Sequence, residues 1–223
     1  MSKGAGYVRI YEKPQSNKIF AIGSDIAEGL EGGDYSTAFV MDRNYNQVAS
    51  MRVKMDTDHF ADALMKLGRM YNTALIAWEI NSHGHAVLSR LKDRGYPRLY
   101  AREEFDERAD KKMKKLGWHT NVKTKQLMLD EFRAAVRDNA INIRDPELYK
   151  EMMTLVYEPD GNIILNSKDL VVSACIAIQA LKQCPPETLM KARTPLTFHV
   201  PKIESADEWR KRLDKNKGQY HYD

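Results

Sequence analysis

The sequence predicts an α/β fold built on a mixed sheet, an antiparallel three-strand meander followed by parallel strands, with helices flanking it. Three observations predict this. Three strand-like runs, Ile19 to Gly23, Thr37 to Met41 and Gln47 to Lys54, follow one another with no helical periodicity between them. From Asp56 onward strand-like and helix-like segments alternate, an order that implies right-handed crossovers and parallel pairing. The composition also supports a core: of 223 residues, 43% are hydrophobic and 30% charged, with a mean hydropathy of −0.58, the profile of a folded domain rather than a disordered chain.

Residues 1–18 are polar, carry Gly4, Gly6 and Pro14, and read as a leading arm with one strand near Tyr7 to Tyr11. Ile19 to Gly23 is a continuous apolar run ending at Ser24-Asp25, as a buried strand does. Asp42 to Asn46 has the residues of a hairpin turn and joins the next two strands. Asp56 or Asp58 can cap a helix whose apolar positions Phe60, Leu64, Leu67 and Tyr71 recur at helical spacing. Thr73 to Trp78 is a second buried strand, ending at Glu79, and a helix from Gly84 to Asp93 follows, closed by Gly95. A short strand is expected at Arg98 to Ala101.

A helix over Lys123 to Arg137 has Leu127, Leu129, Phe132 and Val136 near its apolar side, and Pro146 marks another helix start. Glu158-Pro159-Asp160-Gly161 is a hairpin turn between strands near Leu155 and Ile164. Lys168 to Lys182 is the last strong helix, stopped by Pro185-Pro186. The expected organisation is one domain over residues 1–184 and a tail or partner-docking extension over 185–223, where Trp209, Arg210, Lys211, Arg212, Lys215 and Lys217 cluster.

The longest near-apolar run, Leu170 to Leu181, has 12 residues, short of the roughly 18 that a membrane span needs. With no signal-like apolar stretch at the N-terminus, the expectation is an intracellular chain without a membrane partner. Two cysteines, Cys175 and Cys184, suit a reducing compartment and form no zinc pattern.

Net charge is only +4, but its distribution is informative. Between Arg108 and Lys125 seven basic residues face one acid, so this segment carries +6 and the remainder −2. A basic patch on a near-neutral body points to a polyanion.

Asp25 and Glu79 each end a buried strand, and Asp169 opens an apolar helix. Singly, each is as readily a turn or cap residue. Together, in the crevice beyond the carboxyl ends of strands where α/β sheets bind ligands, they would form a hard oxygen site. Such a site selects Mg²⁺ or Mn²⁺. Asn81-Ser82-His83-Gly84 leads into the next helix, whose amides could receive a phosphate. His83 and His85 are either metal ligands or polar residues of a helix-entry turn.

Ser24-Asp25-Ile26-Ala27-Glu28-Gly29 through Gly33-Asp34-Tyr35-Ser36, then Trp78-Glu79-Ile80-Asn81-Ser82-His83-Gly84, then Lys168-Asp169-Leu170-Val171-Val172-Ser173-Ala174 resemble, in order and spacing, the nuclease domain of bacteriophage large terminases. Leu116-Gly117-Trp118-His119-Thr120 and Lys123-Thr124-Lys125 resemble that family's basic stretch. The similarity runs from about Tyr7 to Gln183. It implies an RNase H-like, retroviral-integrase-type fold and endonucleolytic cutting of double-stranded viral DNA during packaging, with little sequence specificity, in the host cytoplasm. Asp25, Glu79 and Asp169 match the family's metal-binding acids. By resemblance they would hold two divalent ions about 3.5–4 Å apart when DNA is bound. The expected DNA contacts are Lys111, Lys112, Lys114, Lys115, Lys123, Lys125, Lys168, Asn81 and His83. The terminase ATPase domain, the portal and the small terminase are the partners implied.

Two departures stand out. Many relatives carry two adjacent acids where this chain has Lys168-Asp169. No GxxxxGK[ST] loop occurs, so the chain is expected to be a C-terminal nuclease domain separated from its motor. Competing readings are a sugar-kinase or actin-like ATP-binding fold, a related nuclease such as a resolvase, and a nuclease-like module that docks without cutting.

Overall fold

Side-chain alternation along the strands decides the layers of this molecule, a computed structural model that describes residues 6–30, 33–106, 110–157, 163–165, 167–186 and 203–205. The first four strands are β1 (Tyr7–Ile10), β2 (Phe20–Asp25), β3 (Ser36–Asp42) and β4 (Gln47–Val53). Helix α1 (Thr57–Met70) leads into β5 (Leu75–Trp78), and α2 (Gly84–Asp93) follows. The second half comprises β6 (Ala101–Asp106), β7 (Lys111–Leu116), α3 (Val122–Arg137), α4 (Pro146–Met153), β8 (Val156–Tyr157), β9 (Ile163–Ile164), α5 (Asp169–Leu181) and β10 (Ile203–Ser205).

The main sheet has the order β10-β1-β4-β3-β2-β5. β2, β3 and β4 form the expected antiparallel meander, and β5 pairs with β2 in parallel, the product of the α1 crossover. Because successive side chains point to opposite faces, Phe20, Ile22, Ala38, Val40, Ile76 and Trp78 pack on α1 and α2. Ala21, Phe39, Met41, Leu75 and Ala77 pack against α3, α4 and α5. All four apolar positions predicted for α1 are buried, and Asp56 caps it by accepting from the His59 amide at 3.0 Å. α5 is buried at every residue, which is why its sequence shows no polar stripe.

Several elements differ from the sequence-based expectation. In α3 Leu129 and Phe132 are buried and Val136 partly so, as expected, but Leu127 is exposed and Met128 is buried in its place. Only Leu99 of the strand expected at Arg98 to Ala101 pairs with the main sheet, through a bridge to Ile76, and the chain then enters the separate β6–β7 hairpin. The basic segment therefore contains a strand. Within the stretch assigned to a tail, Ile203–Ser205 pairs antiparallel with β1 and adds an edge strand. The basic-aromatic cluster around Trp209 and the turn at 158–161 lie outside the described residues, although β8 and β9, which flank that turn, pair antiparallel.

Candidate metal centre

The parity that sorts the core also aims two acids. Asp25 follows Ala21 and Gly23 in alternation, and Glu79 follows Leu75 and Ala77, so both occupy α5-facing positions at the ends of neighbouring parallel strands. The Glu79 amide donates to the Ser24 carbonyl at 3.0 Å, extending the ladder one step past β5. The two carboxyls lie close enough for the charge of Glu79 to act on Asp25.

Gly23 lets the helix that carries the third acid pack close against β2. A Cβ there would collide with the Ser173 carbonyl and the Ala177 backbone of α5, so only glycine permits this helix–strand approach. Ser173 Oγ accepts from the Asp25 amide at 3.0 Å and shares a 2.6 Å hydrogen bond with Thr37 Oγ1. Thr37 Oγ1 also donates to the Asp169 carbonyl at 2.8 Å, and the Tyr35 amide donates to Asp169 Oδ2 at 3.3 Å. Three elements thus lock the first turn of α5 to the strand ends, and a carboxylate in that turn is favoured by the helix dipole.

Burial drives the Asp25 pKa well above the ordinary aspartate range, reinforced by the negative charges of Glu79 and Asp169. Burial likewise pushes Asp169 up to about 6, with the charge of exposed Asp34 adding to it and the Tyr35 amide and Arg52 opposing it. Among the described residues no three His, Cys, Asp or Glu side chains are gathered closely enough to ligate one ion. Asp25 lies within charge reach of both Glu79 and Asp169. The donor set still fits a hard dication: every candidate ligand is a carboxylate oxygen, and a cation there would offset the mutual repulsion that raises the Asp25 pKa.

The family model described as "Terminase RNaseH-like domain" matches residues 22–179, a span containing all three acids. The chain belongs to this family. Its fold is that of known terminase nucleases. The large terminase nuclease from thermophilic phage G20c with bound magnesium is 15% identical, with a TM-score of 0.61 over 82% of this chain and 89% of that one. The same G20c nuclease with bound cobalt gives 15% identity, 0.60, and the same coverage. The Thermus phage P74-26 large terminase nuclease domain is 16% identical, with a TM-score of 0.56 over 79% of this chain and 86% of that one. No curated protein matches.

Around these acids the expected DNA-contacting residues are placed in different ways. Asn81 is committed to structure: its Nδ2 donates to the Ile26 carbonyl at 3.0 Å, and its Oδ1 accepts from the amides of His83 at 3.1 Å and Gly84 at 2.8 Å. Those are the helix-start amides a phosphate was expected to use, and Asn81 already satisfies them. His83 stands at the cap position of α2 without a capping bond. Lys168 precedes Asp169 but its ammonium donates to Thr154 Oγ1 at the end of α4.

The lysines of β7 are exposed, and two are ion-paired: Lys112 with Glu103 at 3.4 Å and Lys115 with Glu104 at 2.5 Å. Lys123 and Lys125 occupy the first turns of α3, where the helix dipole disfavours cations. Stability does not explain them there. The hairpin is rooted beside Glu79: the Trp118 amide donates to the Trp78 carbonyl at 2.8 Å, and the Ile80 amide to the Trp118 carbonyl at 2.7 Å.

Sequence reasoning gave no role to Thr37, Ser173 and Tyr35, to Glu151, whose Oε2 accepts from the Leu170 and Val171 amides, or to Arg52, whose charge reaches Asp169. Ser173 had a signal: it is a polar residue one turn after Asp169 in an otherwise apolar helix. Thr37 had a weaker one, and Glu151 and Arg52 had none.

Proposed function

We propose that this domain is a metal-dependent endonuclease that cuts double-stranded DNA with little sequence specificity during phage genome packaging. The observation that carries the reading is the placement of Asp25 and Glu79 at adjoining strand ends, within charge reach of each other and of Asp169, which α5 holds there. In this reading Asp25, Glu79 and Asp169 would hold divalent ions, Mg²⁺ or Mn²⁺, two with DNA bound. The magnesium- and cobalt-bound neighbours of the same fold support a divalent cofactor.

When bound, such ions supply a water activated at neutral pH and stabilise the departing 3′-oxygen. The chain's residues do the rest. Ser173, Thr37 and the Tyr35 amide orient Asp25 and Asp169, so that the carboxylates are in place before DNA arrives. The lysines of β7 and of early α3 contact the phosphate backbone, which positions a duplex without reading its bases. The terminase ATPase domain, portal and small terminase would be its working partners.

Plasmid cleavage in Mn²⁺, Mg²⁺ or EDTA, with wild type beside Asp169→Asn, tests the reading. Cutting that requires metal and disappears in the variant is expected. That no three His, Cys, Asp or Glu side chains cluster tightly among the described residues favours a second reading, a DNA- or portal-docking module without independent cleavage. Salt-sensitive binding with no cutting in any metal would select it.

A further inference from the structure

Arg52 lies on β4 directly across from Thr37 of β3. Cross-strand partners share a face, and Thr37 bonds to α5, so Arg52 projects on the side of the sheet that carries the acids. Its guanidinium carbon sits 3.5 Å from the centre of the Tyr35 ring, and Lys54 Nζ sits 5.0 Å from the same ring. Tyr35 is the residue whose amide holds Asp169. The guanidinium is thus fixed by stacking next to the site.

What Arg52 lacks is a hydrogen-bonded anion. Among the described residues its buried Nε has no hydrogen-bond partner and its guanidinium makes no ion pair. Its charge reaches the carboxyls of Asp169, Glu151 and Glu147 and favours their ionised forms, yet none of them bonds to it. Leaving a buried donor unpaired costs about 1–3 kcal/mol, and a stacked guanidinium without an ion-pair partner has the fork geometry that matches phosphate.

We propose that Arg52 is a phosphate-binding residue of this site, its guanidinium taking non-bridging oxygens of the DNA backbone beside the carboxylates. Tyr35 is its platform, and Lys54 adds a second positive charge to the same ring. The inference rests on the nuclease reading for the identity of the phosphate as DNA.

The test measures binding of a short duplex in EDTA across a salt series, beside single-turnover cleavage in Mn²⁺, for wild type, Arg52→Gln and Arg52→Lys. Removing one phosphate contact should lower the slope of log affinity against log salt by about 0.9. Arg52→Gln is expected to show that loss, with severalfold weaker binding. Arg52→Lys should keep the slope while cutting about tenfold more slowly, because a point charge replaces a fork. An Arg52→Gln chain that melts as wild type does and keeps the full slope overturns the proposal, leaving Arg52 as a local counter-charge. If Arg52→Gln does not melt cooperatively, Arg52→Lys decides, and a wild-type cleavage rate there overturns it. A wild type that binds in EDTA but never cuts defeats the nuclease reading alone, since the slope still reports whether Arg52 touches phosphate.

Discussion

Glu151 caps the helix that begins at Asp169: its Oε2 accepts from the amides of Leu170 and Val171, each at 3.0 Å. The residue at the cap position of α5, Lys168, makes no side-chain capping bond, so a carboxyl from α4 does its work across the tertiary structure. Glu151→Ala should cost about 0.5–2 kcal/mol, the usual range for a lost cap, and slow cleavage by loosening Asp169. Glu151→Gln keeps an acceptor and should retain most of both. Urea denaturation and cleavage rates for the pair check this.

The same residue makes stability depend on pH. Burial raises Glu151 from 4.5 to about 7, with the charge of Asp169 adding to it and the two amides and Arg52 opposing it. The folded chain therefore holds this proton more tightly than the unfolded one. The stability it contributes is fully present below about pH 4.5 and is lost as pH rises through about 7. Between those values the melting temperature of wild type should fall relative to that of Glu151→Gln. A constant difference across the window would contradict the assignment.

Gly23→Ala should be among the most damaging single changes. The added methyl meets backbone atoms of Ser173 and Ala177 rather than a flexible side-chain end, so α5 has to move. Overpacking of this kind typically costs about 1–3 kcal/mol. The shift would also part Ser173 Oγ from the Asp25 amide. Loss of cleavage should therefore exceed what the stability change predicts, as measured at a temperature where the variant remains folded.

Asp25→Asn should separate stability from function. Asn removes a buried group whose charged form is disfavoured. In EDTA the variant is expected to melt higher than wild type, by a margin that grows with pH, because the raised aspartate pKa makes the wild-type penalty appear as that proton is lost. Adding Mn²⁺ should raise the wild-type melting temperature by mass action and leave the variant unmoved. Cleavage should be absent in the variant under every metal condition.

How much of this was legible depended on whether a signal was local. The meander, α1 and the two acid-terminated strands follow from apolar runs, and period-two counting from Ala21 and Leu75 already places Asp25 and Glu79 on one face. Ser173 was visible as a polar break in α5. The β6–β7 hairpin was not, because β7 is exposed along most of its length and shows no apolar alternation; backbone pairing holds it. Glu151 and Arg52 act through contacts far apart in sequence, which no spacing rule encodes.

That hairpin also changes what its lysines can do. Between Ala101 and Leu116 six basic residues face five acidic ones, so the strand across from the lysines offsets much of their charge. Glu104 is held below the usual glutamate range by hydrogen bonds from Lys115 and Arg102. Exposed pairs of this kind are worth little, roughly 0–1 kcal/mol, so folding should tolerate their loss. Glu104→Gln should therefore leave the melting temperature nearly unchanged while freeing Lys115 for a phosphate, giving tighter duplex binding at low salt and a steeper salt dependence. Replacing Lys111, Lys112, Lys114 and Lys115 together with Ala should do the opposite, flattening the salt slope by up to about 0.9 per lost contact. Fluorescence anisotropy with a short duplex reads both. A slope unchanged in the fourfold variant would remove β7 from the DNA path and leave Lys123 and Lys125 of α3 as the remaining basic contacts there.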